Sequence, residues 1–220
     1  MKEADALHHP GQPTRQIAGR LMPGECAALI LCAGRSSRMG AFKPLLPLGE
    51  ETLLERVIRL FREAGIADVT AVLGHRAECA MPVLQRHEVR PALNDRYDEG
   101  MFSSVKAGVG TLDRSRRAFF LLPVDIPLVR PETLKALMDG FREGTVDVCR
   151  PCFRGRHGHP PLIASTLIPA IAEFDGTGGL RALLARYRGC TADIAVEDPG
   201  ILLDLDRHDD YEGAIKEFGC

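Results

Sequence analysis

The sequence lacks an excess of charge of either sign, because 28 lysines and arginines stand against 30 aspartates and glutamates in 220 residues. Such a chain has no overall basic field to hold nucleic acid, so an anionic ligand needs a local cluster of cations. We find no apolar run long enough to span a bilayer and no signal peptide, and therefore expect a cytoplasmic protein without a membrane partner. The seven cysteines, an odd number, fit a reducing compartment without a disulfide framework.

Residues 1–25 mix proline, glycine, histidine and charge without periodicity. This composition predicts a disordered or irregular extension, followed by one domain at residues 26–220. Apolar residues make up 45% of the chain, which is typical of a globular protein with a hydrophobic core.

Short apolar runs alternate with longer amphipathic segments along the domain. Strands are predicted at 26–32, 68–74, 88–94, 117–125, 146–151 and 191–197. Helices are predicted at 51–65, 76–86, 101–112, 131–141, 165–174, 179–188 and 209–218. Pro82 weakens the second of these helices. The alternation predicts an α/β fold, with a mostly parallel sheet covered by helices on both faces and ligands at the carboxyl ends of its strands.

The loop after the first strand is rich in glycine, serine and basic residues and reads LCAGRSSRMGAFKPLLPLG, residues 31–49. Gly34 and Gly40 do not have the G-x-G-x-x-G spacing of a dinucleotide-binding loop. The G-x-x-x-x-G-K-[ST] pattern of a P-loop is also missing, because Lys43 is followed by Pro44. Two interpretations remain: a solvated basic turn, or a looser loop in which backbone N–H groups, Arg38 and Lys43 neutralise a triphosphate.

Candidate metal-binding carboxylates lie in two other segments of the chain. Asp125 closes an apolar strand in LLPVDIPLV and is either a turn aspartate or a ligand for Mg²⁺, which favours one or two carboxylates together with phosphate oxygens. In LLDLDRHDDY, Asp204 and Asp206 would point to the same side of an extended segment and could complete such a site. Asp209 and Asp210 fit the first turn of the last helix.

These segments resemble the MobA-like NTP transferase family, and most closely its molybdenum cofactor cytidylyltransferase branch. The first loop is similar to the family pattern LAAG-x-S-x-R-M-G-x-x-K-LL, and LLPVDIPLV is similar to its metal-binding aspartate segment. Further similar segments are EGMFSSVKAG, GRHGHPPLI, GTGGLRALL and DLDRHDDY. Cys32 replaces the usual alanine, and Arg207-His208 replace the usual Thr-Pro. The second departure leaves open whether Asp204 or Asp206 binds the metal.

The resemblance implies a single-domain, Rossmann-like three-layer sandwich of the nucleotide-diphospho-sugar transferase type. It implies Mg²⁺-dependent transfer of CMP from CTP to a molybdopterin-type cofactor, release of pyrophosphate and a client molybdoenzyme. The catalytic residues would be Arg38, Lys43 and Asp125, and the metal ligands Asp125 with Asp206 or Asp204. His159 and Arg181 would face the acceptor. The nucleotide would lie against Leu31, Ala33, Gly34, Arg35, Ser36, Arg38, Lys43, Gly74, Asn94 and Ser104.

Two alternatives stay open at this stage. A guanylyl or other nucleotide could be transferred to a different phosphorylated acceptor, although the Ala33-Gly34 pair favours CTP within the family. The protein could instead be a non-catalytic nucleotide-binding module, although such a module would be expected to have lost Arg38, Lys43 or Asp125.

Overall fold

The computed structural model describes residues 20–34 and 41–218. An eight-stranded sheet lies at its centre, and a small hairpin formed by β2 and β3 lies beside it. The strands are β1 (Cys26–Leu31), β2 (Pro47–Leu48), β3 (Glu51–Thr52), β4 (Asp68–Leu73), β5 (Arg90–Leu93), β6 (Ala118–Pro123), β7 (Val148–Phe153), β8 (Arg156–His157), β9 (Leu162–Ala164) and β10 (Thr191–Ala195). The helices are α1 (Leu53–Glu63), α2 (Ala77–Arg86), α3 (Met101–Gly110), α4 (Pro131–Gly140), α5 (Ile168–Glu173), α6 (Gly179–Leu184) and α7 (His208–Phe218).

The strands of the large sheet follow the order β10-β7-β9-β6-β1-β4-β5, and β8 pairs with β7. The pairs β6–β1, β1–β4, β4–β5 and β7–β10 are parallel, which confirms the prediction of a mostly parallel sheet. The short strands β8 and β9 are the exceptions, because β9 lies antiparallel to both β6 and β7 and β8 lies antiparallel to β7. Neither β8 nor β9 was predicted from the sequence.

Two hydrophobic cores cover the faces of the sheet and make the fold a three-layer sandwich, as expected. Side chains alternate between the faces along β1, so Ala28 and Ile30 belong to one core and Leu29 and Leu31 to the other. Helices α1, α2, α4 and α7 contribute to the first core, and α3, α5 and α6 to the second. All six residues of β1 are buried, which explains why this strand is continuously apolar.

Local sequence signals account for several helix boundaries. Thr52 caps α1, because its side chain accepts a hydrogen bond from the amide of Glu55 while the Glu55 carboxylate accepts one from the amide of Thr52. Gly65, at φ 84°, follows α1 in a conformation that suits glycine. The helix α2 continues through Pro82.

The predicted helix at 165–174 is α-helical only from Ile168, after a 3₁₀ turn at Ser165–Leu167. The one at 179–188 ends at Leu184 and continues as 3₁₀ helix. Within residues 20–34 and 41–218, no helix combines the length and the apolar character needed to cross a membrane. Residues 1–19 of the predicted extension at 1–25 lie outside the described residues, so the extension stays a prediction there; in the described part Leu21 is buried in the first core and Pro23–Glu25 form a 3₁₀ turn.

Candidate active site

A cleft lies at the carboxyl ends of β1 and β6, which are neighbouring parallel strands. Leu31 pairs with Pro123, so the segments that follow these two residues leave the sheet side by side. A cavity of about 350 Å³ opens there. The residues that line it are Leu31, Cys32, Ala33, Gly34, Lys43, Pro44, Tyr97, Gly100, Met101, Ser104, Pro123, Val124, Asp125 and Asp206. The sheet topology therefore brings the first loop and Asp125 to one site, as the alternation of strands and helices predicted.

Lys43 is the central cation of this cleft. It starts a 3₁₀ turn at Lys43–Leu45, and its side chain is only 7% exposed. Its ammonium group donates hydrogen bonds to Asp125 Oδ2 at 3.0 Å and to Asp206 Oδ1 at 2.7 Å. Burial lowers the pKa of Lys43, but the hydrogen bonds and charges of Asp206 and Asp125 outweigh it, so the pKa lies above its usual value. The lysine is therefore held in its charged form at the floor of the site.

Three carboxylates converge around this lysine. Asp125, Asp204 and Asp206 each place an oxygen within 4.8 Å of the other two. Partial burial, followed by the charges of Asp125 and Asp206, raises the pKa of Asp204 to about 6. Carboxylate oxygens at such spacing are the ligands that Mg²⁺ and Mn²⁺ take, and the neighbouring carboxylates add to burial in raising the pKa of Asp204. The donor set thus fits a hard divalent cation.

The structure places Asp204 and Asp206, between which the sequence left the choice of metal ligand open, in different surroundings. Both carboxylates belong to the cluster, but Asp206 contacts Lys43 and lines the cavity. The backbone amide of Leu205 donates to the carbonyl of Asp125 at 2.8 Å and fixes the segment between the two acids against the end of the β6 segment. Asp204 lies on the more exposed side of the cluster.

Several residues predicted to contact the nucleotide line this cavity, namely Leu31, Ala33, Gly34, Lys43 and Ser104. Asn94 does not line it but is buried behind it, and its side-chain amide donates to Ser103 Oγ at 2.9 Å and to Ser104 Oγ at 3.0 Å. Asn94 therefore orients Ser104.

Gly74 also lies behind the cavity wall. A Cβ atom at this position would lie 2.7 Å from Cβ of Tyr97 and 2.9 Å from the carbonyl oxygen of Ala33. The glycine thus permits close packing between the ends of β1 and β4 and the Tyr97 ring. The predicted contacts of Arg35, Ser36 and Arg38 lie outside the described residues.

Sequence reasoning missed seven residues of the cavity wall, namely Cys32, Pro44, Tyr97, Gly100, Met101, Pro123 and Val124. Tyr97 lies in a 3₁₀ turn, Tyr97–Glu99, just before Gly100 and the start of α3. Its aromatic ring within a loop between Asn94 and the predicted α3 was the available signal. A ring at this place offers a flat surface on which a base can stack.

A second cavity, of about 1100 Å³, lies beside the first, and Met101 lines both. His159 and Arg181, predicted to face the acceptor, are on its wall, together with Arg150, Arg156, His157 and Arg188. None of the described residues that line it is acidic. Burial lowers the pKa of His159, although the charge of Asp125 and the backbone of Leu121 oppose this effect. A large cavity lined by several basic side chains therefore adjoins the first, and Asp193 pairs with two of them, Arg150 and His157.

Three relatives are similar to this chain in sequence. The chain is 28% identical to the molybdenum cofactor cytidylyltransferase of Escherichia coli over 192 residues, which cover 86% of this chain and 95% of the relative. It is 29% identical over 163 residues to nicotine blue oxidoreductase of Paenarthrobacter nicotinovorans, covering 71% and 79% of the two chains. The bifunctional protein GlmU of Geotalea daltonii is 28% identical over 151 residues, but this chain covers only 31% of its length.

Solved structures share the fold. A nucleotidyl transferase from Methanothermobacter superimposes with a TM-score of 0.76 and 24% identity, covering 91% of this chain and 98% of that one. The Rv0371c protein of Mycobacterium tuberculosis in complex with manganese superimposes with a TM-score of 0.73 and 24% identity, covering 87% and 98%. The model of the MobA-like NTP transferase domain matches residues 28–191. The chain therefore belongs to the family of MobA-like NTP transferase domains and is a nucleotidyltransferase of that family.

Proposed function

We propose that the protein transfers CMP from CTP to the terminal phosphate of a molybdopterin-type cofactor, with Mg²⁺ as the physiological cation. The observation that carries the proposal is the convergence of Lys43, Asp125 and Asp206 at one wall of a cleft that Ala33, Gly34 and Ser104 also line. A phosphate oxygen of the acceptor attacks the α-phosphorus of CTP. The bond from that phosphorus to the bridging oxygen breaks, and pyrophosphate leaves with the electron pair.

The chain's own residues supply charge and position in this reaction, and no enzyme nucleophile is needed. Lys43 offers a fixed positive charge to the polyphosphate as the negative charge of pyrophosphate develops. Arg38, from the same loop, is assigned the same role by its place in the family motif. Backbone groups of Ala33 and Gly34 and the side chain of Ser104 hold the nucleoside.

Asp125, Asp206 and Asp204 would hold the divalent cation. When bound, the cation would neutralise negative charge on the phosphates of the substrates. The Mycobacterium tuberculosis structure with manganese supports a divalent cation for this fold. The cluster of three carboxylates described above supports it for this chain.

The second cavity is the proposed place of the acceptor. Its volume of about 1100 Å³ suits a large ligand, and its arginines suit an anionic one. His159 and Arg181 would lie against this acceptor. The Escherichia coli relative, which carries the name of a molybdenum cofactor cytidylyltransferase, supports the choice of both substrates.

The test is the rate of pyrophosphate release with each of CTP, GTP, UTP and ATP, with Mg²⁺ or Mn²⁺, and with three acceptors. These are the molybdopterin-type cofactor, a sugar phosphate and an alcohol phosphate. We expect turnover with CTP and the pterin alone. Faster turnover with GTP would make GTP the nucleotide of the proposal. Faster turnover with a sugar phosphate would make that compound the acceptor.

Tight CTP binding without pyrophosphate release under any acceptor would identify a non-catalytic nucleotide-binding module instead. The matched variants are Asp125→Asn and Asp113→Asn. Asp113 lies in the loop between α3 and β6, at the amino end of β6 and away from both cavities. Only the first substitution should reduce turnover.

A further inference from the structure

A buried acid outside both cavities connects the two loops that carry the carboxylate cluster. Asp198 follows β10, is 2% exposed and lines neither cavity. Its Oδ2 accepts hydrogen bonds from the backbone amide of Arg130 at 2.8 Å and from Thr133 Oγ1 at 2.7 Å. Its Oδ1 accepts one from the amide of Gly200 at 2.9 Å. Each oxygen of this carboxylate therefore satisfies donors from a different segment of the chain.

The two segments are those that bear the proposed metal ligands. We call residues 124–130, which carry Asp125 and lead into α4, the β6 loop. We call residues 198–206, which carry Asp204 and Asp206, the acid loop. The donors from Arg130 and Thr133 belong to the end of the β6 loop and the first turn of α4, and that from Gly200 belongs to the acid loop.

Close backbone packing runs along the same junction. A Cβ atom at Gly200 would lie 2.0 Å from the carbonyl oxygen of Leu128, so the acid loop touches the β6 loop at this point. Further along, the amide of Leu205 donates to the carbonyl of Asp125 at 2.8 Å. The junction thus extends from Asp198 to the residue between Asp204 and Asp206.

We propose that Asp198 is a positioning residue that holds the acid loop against the β6 loop, so that Asp204 and Asp206 stay within reach of Asp125. The inference rests on the proposed function, because it takes these three acids to be ligands of a divalent cation. A carboxylate suits this place better than an amide. Both of its oxygens accept hydrogen bonds, whereas asparagine would turn an N–H₂ group toward the donors on one side.

Substitutions at Thr133 test the role of Asp198 most directly, because Thr133 is 2% exposed and its hydroxyl contacts Asp198. Thr133→Val removes this hydroxyl at nearly constant volume, and Thr133→Ser retains it. Asp198→Asn is the direct variant. Leu84→Ala, in the last turns of α2, removes buried apolar volume remote from both cavities and serves as an unrelated destabilised control.

The first measurement is hydrogen exchange of the Leu205 amide in the metal-free protein, which reports the junction without any ligand. We expect exchange at least about 5-fold faster in Thr133→Val and Asp198→Asn, because a buried hydrogen bond to a charged group is lost, and near-wild-type exchange in Thr133→Ser. The second measurement is the Mn²⁺ dissociation constant. We expect it to rise at least about 10-fold in Asp198→Asn, the scale at which partners behind metal ligands act.

Unchanged Leu205 exchange and unchanged Mn²⁺ affinity in the folded Thr133→Val variant would overturn the proposal, even if Asp198→Asn does not fold. An equal loss of Mn²⁺ affinity in Leu84→Ala would also overturn it, because general destabilisation would then suffice. If the wild-type protein binds no Mn²⁺, the proposed metal site fails, and the Leu205 exchange alone decides whether Asp198 holds the two loops together.

Discussion

Replacing Lys43 by methionine tests whether one buried ammonium group holds the acidic cluster together. Methionine keeps much of the apolar stem of lysine and removes the charge. The Lys43 side chain is 7% exposed, and its Nζ lies 3.0 Å from Asp125 Oδ2 and 2.7 Å from Asp206 Oδ1. The variant would leave these two carboxylates and that of Asp204 facing one another without this ammonium.

The cost of this substitution can be worked from the distances. At an effective dielectric constant of about 20, charges at these separations attract one another by about 5–6 kcal/mol per pair before desolvation. Breaking a buried pair by removing one partner costs about 3–5 kcal/mol, and the 36% exposure of the Asp206 side chain reduces this to about 2–3 kcal/mol. For a chain of this size, Tm should therefore fall by about 4–12 °C.

The assay is thermal unfolding of the wild type and of Lys43→Met with and without Mn²⁺. Because a divalent cation would supply the missing positive charge, we expect Mn²⁺ to reduce the difference in Tm between the two proteins. Turnover should stay at least about 100-fold below that of the wild type, since a charge facing the departing pyrophosphate is gone. Lys135→Met, on the exposed side of α4, is the matched control and should change neither quantity. A Lys43→Met protein as stable and as active as the wild type would refute the reasoning.

Three further substitutions test separate parts of the site. Asp125→Asn should lower the rate of pyrophosphate release at least about 100-fold and weaken Mn²⁺ binding, whereas Asp113→Asn should alter neither; equal rates in the two variants would exclude the assigned role. Gly200→Ala would place a Cβ atom 2.0 Å from the Leu128 carbonyl oxygen, so it should cost about 1–3 kcal/mol of stability and weaken Mn²⁺ binding. Gly110→Ala, with open space around its Cβ position, should have neither effect, and intact Mn²⁺ binding in Gly200→Ala would contradict the junction described above. Asn94→Ala should release Ser104 and raise KM for CTP about 5-fold with a smaller change in kcat, because its effect falls on nucleotide binding; an unchanged KM would separate Asn94 from the nucleotide.

The central strands could be predicted from the sequence because a strand that is buried on both faces is rich in apolar residues. β1 and β6 are continuous apolar runs, β4 is interrupted only by Asp68 and Thr70, and each strand was found close to its predicted bounds. Strand β9 cannot be recognised in this way, because it has only three residues. It is held by pairing with Phe119 and Val148, both distant in the chain. Its insertion between β6 and β7 is a property of tertiary packing rather than of local pattern.

The meeting of Lys43 with Asp125 was predictable for a different reason. Both residues follow strands that the alternation of elements predicts to be parallel, so their shared edge could be inferred, whereas the adjacency of β1 and β6 is known only from the structure. The acid loop follows no such rule, because it comes after the edge strand β10 and crosses back to the centre of the sheet. Its carboxylates could be identified by their spacing, but their approach to Asp125 depends on contacts made after β10.

The positioning role proposed for Asp198 could not be recognised from the sequence. In the segment EDPG, Asp198 is indistinguishable from an aspartate that only forms a turn, and its side chain does accept a hydrogen bond from Gly200 two residues on. Its hydrogen bonds with Arg130 and Thr133 span more than sixty positions and depend on where α4 begins relative to β10. Charges that act on a substrate need a recognisable residue type, and motif spacing can reveal them. A positioning residue such as Asp198 needs only to be buried between the two loops that it connects. Until the fold is known, any acid in a turn is therefore a candidate for this role.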